Sequence, residues 1–364
     1  SSARVTSLDE GRSDGSNYIT QFLANYQKSI GQHSLNLLVG NENYYSFSEA
    51  EGASSQYLLL TTYPYLDLAN KNYLSVSGNA SEYASRSFFG RLIYDYKSKY
   101  LLQVNGRYDG SSRFHEDYRW GFFPSLSAGW VVTEEPFMQN VNGLSFLKFR
   151  VSYGTLGNER IGNYPYQATI NFGNDVAIQG PSIVATQTAY ISKYAIRDIS
   201  WETTESLDAG LDASFFNNKL GLTFDYYHKV TKDMLLALEI PDYLGLSNPD
   251  QNTGKMNTKG WDFELRYKNS IGKLSYSVSA NLSDYRSVMG DLGGTQFLGA
   301  QVKFEGSEFN EWYGYKTDGL FQTQEDLANS VKLNNQIKVG DIKYLDISGP
   351  EGVPDGKITP DYDR

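Results

Sequence analysis

"WDFELRYKNSIGKLSYSVSANLSDY", Trp261 to Tyr285, alternates apolar and polar residues, turns, and alternates again. Trp261, Phe263, Leu265 and Tyr267 fall on one side of an extended chain, and Asp262, Glu264 and Arg266 on the other. After the short turn at Ser270–Gly272, Leu274, Tyr276, Val278 and Leu282 face one way. Ser275, Ser277, Ser279 and Asn281 face the other. This pattern predicts a hairpin of two strands, each with one apolar and one wet face. Alternation by itself leaves open whether the apolar face meets a protein core or lipid.

The same period recurs on both sides of this hairpin. Tyr18, Thr20, Phe22, Ala24 and Tyr26 share a face, and a second run covers residues 35–45. Phe88, Leu92, Tyr94 and Tyr96 oppose Ser87, Arg91 and Asp95, and Leu102, Val104 and Tyr108 oppose Gln103, Asn105, Arg107 and Asp109. A further run covers residues 121–132. Leu147, Phe149, Val151 and Tyr153 oppose Lys148, Arg150 and Ser152. Leu207, Ala209 and Leu211 oppose Asp208 and Asp212, and Leu220, Leu222, Phe224 and Tyr226 oppose Thr223 and Asp225. About ten strands of roughly 10–14 residues are predicted, against five or six residues for the usual globular strand and about 9–11 for a tilted bilayer crossing.

The predicted connections alternate in length. Residues 28–33, 97–99, 216–218 and 270–272 are short turns, and 133–145 is intermediate. Residues 46–86, 111–120, 158–203, 231–259 and all after 287 are long. Short turns on one side and long loops on the other are expected of an outer-membrane barrel, whereas a β-sandwich scatters both kinds at both ends. Along the predicted segments the apolar face is free of charge. The polar face holds Ser, Asn, Gly, Thr and Asp with scattered Arg and Lys, as suits a water-filled lumen. Leu147, Phe149, Val151, Leu207, Leu211, Trp261, Phe263, Leu265, Leu274, Tyr276 and Val278 are therefore expected to face lipid. The expected fold class is all-β: part of a transmembrane antiparallel β-barrel. Residues 1–289 form wall and loops, and 290–364 form a long extracellular loop region. The polar start and the end without a closing strand read as an internal piece of a longer protein.

Composition narrows the function. The 364 residues carry a net charge of −10, which disfavours nucleic-acid backbone binding. Cysteine is absent, so there is no thiolate chemistry. The mean hydropathy of −0.48 does not argue against a barrel, whose strands expose only every second residue to lipid. No apolar run is long enough for a transmembrane helix. The three histidines, His33, His115 and His228, lie on separate segments, and no phosphate-binding glycine loop is present. Asp208, Asp212, Asp225, Asp262 and Glu264 read as hydrated lumen charges matched by Lys148, Arg150, Arg266 and Lys268 rather than as a glycosidase pair. No enzyme activity is expected.

Several segments, in order, resemble the SusC/RagA family of TonB-dependent outer-membrane transporters of Bacteroidetes. They are "RLIYDYKSKYLLQVNGRYDGSSRF", "FFPSLSAGWVVTEEPFM", "LKFRVSYGTLGN", "WETTESLDAGLDASFFNNKLGLTFDYYHKVTKDML", "NTGKMNTKGWDFEL" and "WYGYKTDGLFQTQEDL". The resemblance extends over residues 16–364. It implies the later part of a barrel of about 22 strands around an N-terminal plug. It also implies import of oligosaccharides or peptides under a SusD-like surface lipoprotein, powered by the TonB complex acting on a plug and TonB box outside this chain. Short turns would be periplasmic and long loops extracellular. A passive outer-membrane barrel and a surface-exposed β-rich adhesin are the other readings that the residues allow.

Two sets of loop residues are candidates for binding. The family often carries an EF-hand-like "D-x-N-G-D-G-x-I" near the position of the tail "GDIKYLDISGPEGVPDGKITPDYDR". Here an insertion separates Asp346 from Asp355, so the spacing departs from an EF-hand. Asp346, Asp355, Asp361 and Asp363 remain candidate Ca2+ ligands in an extracellular loop, the alternative being an acidic turn-rich loop without an ion. No other cofactor is expected. Tyr190, Tyr194, Trp201, Tyr243, Trp312 and Tyr313 are candidates for stacking on cargo or meeting the lid protein. Packing of loop on loop is their alternative use. Gly154, Gly157 and Asn158 read as turn residues where a strand becomes a long loop.

Overall fold

The computed structural model describes residues 6–58, 60, 62–179, 182–237, 240–297, 300–360 and 362–363. The chain divides into two compact units, Ser1–Arg286 and Ser287–Arg364.

In the first unit the strands are β1 (Ser7–Ile30), β2 (His33–Gln56), β3 (Ser75–Tyr96), β4 (Tyr100–Ser111), β5 (Trp120–Val131), β6 (Leu144–Asn158), β7 (Ile170–Gln179), β8 (Ser182–Ile191), β9 (Glu202–Phe215), β10 (Leu220–Lys232), β11 (Leu235–Ala237), β12 (Asp250–Asn252), β13 (Lys255–Ile271) and β14 (Leu274–Met289), the last running a few residues into the second unit. Ten of them form one sheet in the order β1-β2-β3-β4-β5-β6-β9-β10-β13-β14. The ladders from β1 through β13 are antiparallel, and each strand neighbours the next wall strand along the chain. The pairs β7–β8 and β11–β12 are separate small hairpins inside long connections.

The turns follow the demands of the local backbone. Gly31 and Gly272 take φ of 58° as the first residue of two-residue loops, where a II′ hairpin turn requires glycine. At the β3–β4 turn Lys97 and Ser98 both have positive φ, as a I′ turn needs. The Asp95 carboxylate accepts the Ser98 N–H at 2.8 Å and steadies that conformation. Phe216, Asn217 and Asn218 form the left-handed β9–β10 turn.

The register carries the apolar residues into one continuous band. Tyr26 lies level with Leu37, Leu92, Val104, Leu126, Tyr153, Leu207, His228 and Lys259 on successive strands. On β1 this row is the short-turn end of the run Tyr18–Tyr26. On β13 it lies beyond the long-loop end of the run Trp261–Tyr267. The band slides by about nine residues over eight strand pairs. With a rise of about 3.3 Å per residue and a strand spacing of about 4.8 Å, this inclines the strands by roughly 35–40°, as barrel closure requires.

Three expectations about boundaries need correction. The polar start is strand from Ser7 onward, and the connection expected over residues 46–86 shrinks to 57–74, because β2 runs to Gln56 and β3 starts at Ser75. These extensions, rich in Ser, Gly and acidic residues, lack apolar alternation. Backbone pairing across three neighbours makes them strands. Gly154, Gly157 and Asn158 lie inside β6, and none has positive φ. The glycines there supply space: a Cβ on Gly157 would sit 2.1 Å from the Phe123 ring, and one on Gly154 would sit 2.6 Å from Ser125 Cβ.

The second unit contains the short pairs β15 (Gln301–Val302) with β16 (Glu311–Trp312) and β17 (Thr317–Leu320) with β18 (Ile342–Tyr344). The helix α1 (Gln324–Asn329) lies between the latter two and is capped by Thr323, whose hydroxyl accepts the Asp326 N–H at 3.1 Å. Met289, Leu292, Val302 and Phe321 are buried.

Candidate functional site

The two faces of the large sheet differ in chemistry. Register places Leu147, Phe149 and Val151 across from Ala213, Leu211 and Ala209, and these across from Leu222, Phe224 and Tyr226. Leu265, Phe263 and Trp261 continue the rows, and Leu207 joins the same face. The ring of Tyr276 lies 6.1 Å from that of Tyr267, which puts Leu274, Tyr276 and Val278 on that side too. Many of these side chains are open: Val151 is 47% exposed, Leu207 50% and Val278 63%. A face this apolar and this uncovered is not a soluble surface.

Aromatic rings edge the band. Toward the short turns stand Tyr26, Tyr94, Tyr96, Tyr100, Trp130, Tyr267 and Tyr276; toward the long loops stand Tyr18, Tyr45, Phe88, Tyr108 and Trp120. Trp120 stacks on Tyr108 at 4.8 Å. From Trp130 to Trp120 is a ten-residue step, about 26 Å of height at this inclination, close to the apolar height of an outer-membrane barrel. Glu135, in the β5–β6 connection, gathers the lower edge. Its buried carboxylate accepts Tyr100 O–H at 2.6 Å, Trp130 Nε1–H at 3.1 Å and Lys99 Nζ at 3.1 Å. Donation from Tyr100 above all, then from Lys99 and Trp130, holds its carboxyl below the usual range against the opposing effect of burial.

The polar face is a charge array. Arg150 Nε donates to Asp212 at 2.7 Å, and its Nη2 reaches Asp225 at 3.0 Å. It crosses β9 directly over Gly210, where a Cβ would lie 2.1 Å from Asp225 Oδ1 and 2.9 Å from the guanidinium carbon. Arg107 pairs with Asp109 at 2.8 Å and donates to Ser87 at 2.7 Å, and Arg266 pairs with Glu264 at 2.9 Å. Arg150 and Arg266 thus match carboxylates as expected, while no ion pair is found for Lys148 or Lys268 among the described residues. A trough of about 800 Å³ runs along this face, lined by Asn105, Arg107, Ser125, Lys148, Arg150 and Asp208.

The loop candidates part ways. Trp201 packs against Phe114 and Phe123, both at 5.3 Å between ring centres, and donates Nε1–H to the Arg119 carbonyl at 2.9 Å. Its ring is therefore engaged in holding loops. Phe123 sits in a slot between Gly121 and Gly157, a packing role that alternation did not reveal. Tyr243 at 86%, Trp312 at 78%, Tyr194 and Tyr190 are open, and Tyr313 is half-buried. In the tail, Asp346 accepts the N–H groups of Asp355 and Gly356, and Asp355 accepts that of Lys357. Asp363 is fully buried and accepts N–H from Ile347, Ser348 and Thr359. The Thr359 amide is the chief cause of its lowered pKa, with those of Ile347 and Ser348 adding to it and burial opposing. Asp361 lies outside the described residues. Among the described residues no three metal-ligating side chains converge. Backbone amides are the partners of these carboxylates.

A wide antiparallel sheet with an uncovered apolar belt, aromatic edges and a charged inner face defines a segment of outer-membrane β-barrel wall. The chain belongs to the TonB-dependent receptor-like β-barrel family, which it matches over residues 2–361. It is 30% identical to TonB-dependent receptor P3 of Formosa agariphila over 95% of this chain and 36% of that protein. It is 32% identical to TonB-dependent receptor SusC of Bacteroides thetaiotaomicron over 73% of this chain and 27% of that protein. A solved structure of the RagAB peptide transporter superposes with a TM-score of 0.80 at 28% identity, covering 95% of this chain and 38% of that one. The chain spans about a third of the length of these relatives.

Proposed function

We propose that this chain is the later wall and loop region of an energy-coupled nutrient importer of the SusC/RagA type. The observation that carries the reading is the continuous apolar band on a family-matched sheet whose opposite face is a hydrated charge array. In this reading the eleven residues from Leu147 to Val278 named above meet lipid, and residues 290–364 belong to an extracellular region ahead of further strands. The exposed aromatics Tyr190, Tyr194, Tyr243 and Trp312 meet cargo or a SusD-like lipoprotein. The cargo is an oligosaccharide or a peptide. The related RagAB structures bear the description of a peptide importer, whereas SusC is described as a receptor only.

Uptake in whole cells tests this. The intact gene should restore growth of a deletion strain on one polymer class, and a proton-motive-force uncoupler should abolish uptake. Uptake that persists with the uncoupler would mean a passive barrel. A full-length protein that remains monodisperse without detergent would mean a soluble adhesin.

A further inference from the structure

The wall is uneven at its long-loop end. Hairpin β4–β5 is short. The last β3–β4 pair is Ser85 with Ser111, and residues 75–84 of β3 rise above it paired only with β2. On the far side, β6 leaves β5 at Gly154 and continues to Asn158 beside β9 alone. The result is a notch between β3 and β6, two strands wide. Residues 159–166, the start of the β6–β9 connection, cross this notch. Tyr83 and Ser81 lie on the polar face of β3, in step with Ser87. Tyr83 O–H donates to the Glu159 carboxylate at 2.6 Å, and Asn163 Nδ2 donates to Ser81 Oγ at 2.9 Å. Arg113, from the β4–β5 connection, joins both ties. Its guanidinium carbon lies 4.7 Å from the centre of the Tyr83 ring, and it donates to the Glu159 carbonyl at 2.9 Å and to Asn163 Oδ1 at 3.3 Å. Pro165 is buried, and its carbonyl accepts the Ile196 N–H at 3.3 Å, closing the root of the excursion that carries β7–β8.

We propose that residues 159–166 are a fixed strap: a stretch of wall made from a connection, which closes the notch above β4–β5 and past which cargo moves without displacing it. Segments that open and close are drawn from the weakly tied parts of a fold. This one is tied to β3, to the β4–β5 connection and to the stretch before β9, and lifting it away breaks the four hydrogen bonds to Tyr83, Ser81 and Arg113 together. The notch begins just above Tyr108 and Trp120, the aromatic edge of the band on β4 and β5. Left open, it would join the hydrated polar face to the headgroup layer outside the wall.

The passage of cargo rests on the importer reading, whereas the fixity of the strap does not. Two measurements on the full-length protein test them. In the first, Ser81→Cys and Asn163→Cys are its only cysteines, since this chain brings none of its own. A short, reducible bis-thiosulfonate is added to cells. Digestion and mass spectrometry should find the two positions linked, and uptake should be the same before and after linking. Uptake lost on linking and regained on reduction would make the segment a moving gate and overturn the strap, as would failure to link. The second measurement is hydrogen exchange in detergent. Tyr83→Phe/Asn163→Ala removes two ties and should speed exchange of the Ile161 and Ile196 amides, both hydrogen-bonded here, by roughly 25-fold, with β9 and β10 unchanged. Unchanged exchange would overturn the strap. If heat-modifiable mobility shows that this pair does not assemble, Tyr83→Phe alone decides, at roughly fivefold. Wild-type cells without energy-dependent uptake would refute the importer reading, and linking and exchange would still decide the strap.

Discussion

Gly210 and Arg150 illustrate how tightly single positions are bound to each other. Arg150 satisfies two carboxylates only because β9 presents no side chain beneath it. Gly210→Val should displace the guanidinium, and Arg150→Met should leave Asp212 and Asp225 facing each other. Each change should destabilise the wall by about 1–2 kcal/mol, the order of a charge-assisted hydrogen bond in a half-exposed site, read from urea unfolding in detergent. Glu135 gives a pH signature. Its carboxyl is held below the usual range, so its contribution is full above the unfolded value of about 4.3 and is lost as pH falls through the lower folded value. Glu135→Ala should lower thermal stability near neutral pH and flatten the fall between about pH 5 and pH 3. An unchanged acid profile in that variant would remove Glu135 from this role.

Among the strands, facing is the testable property. Val151→Arg, Leu211→Arg or Leu265→Arg should each impair insertion by about 2–4 kcal/mol, while Ser152→Arg and Ser214→Arg should be tolerated, as scored by heat-modifiable mobility after membrane extraction. The wall strands were readable from sequence where two-residue periodicity holds, as in Leu147–Tyr153 and Trp261–Tyr267. The upper halves of β1–β3 were not, because polar residues on both faces give no period and only neighbouring backbone defines them. The hairpin β7–β8 was likewise hidden inside a long connection. Trp201 was readable as a loop aromatic but not as a packed one, since its partners Phe114 and Phe123 lie some eighty residues away. Of the charge array, the pairing of Arg150 and Arg266 follows from the sequence and that of Lys148 and Lys268 does not, and its geometry depends on Gly210, which alternation treats as any small polar-face residue.

For the molecule as a whole, the two compact units should respond separately to damage. Asp363→Ala should raise hydrogen exchange of the amides of Ile347, Ser348 and Thr359, which lose their acceptor, while exchange in the wall strands stays the same. Chelation of divalent cations should leave protection of those three amides unchanged, because a carboxylate of the chain supplies their acceptor. Loss of protection on chelation would instead assign a Ca2+ ion to the tail.

The two-residue turn at Gly272–Lys273 and the row-by-row register have a consequence for how such proteins can change over generations. Removing or adding one residue within a wall strand inverts every side chain beyond it, sending charge into lipid and oil into the channel. Apart from a bulge at a strand end, such as the one that absorbs Ser145 at the start of β6, length can therefore drift inside the wall only in steps of two, with the neighbours sliding to match. The connections beyond Gln56 or Lys232 carry no such parity and are free to lengthen by any number. Descent with insertion and deletion is thus channelled to the side of the long connections, while the wall between them is held constant by arithmetic.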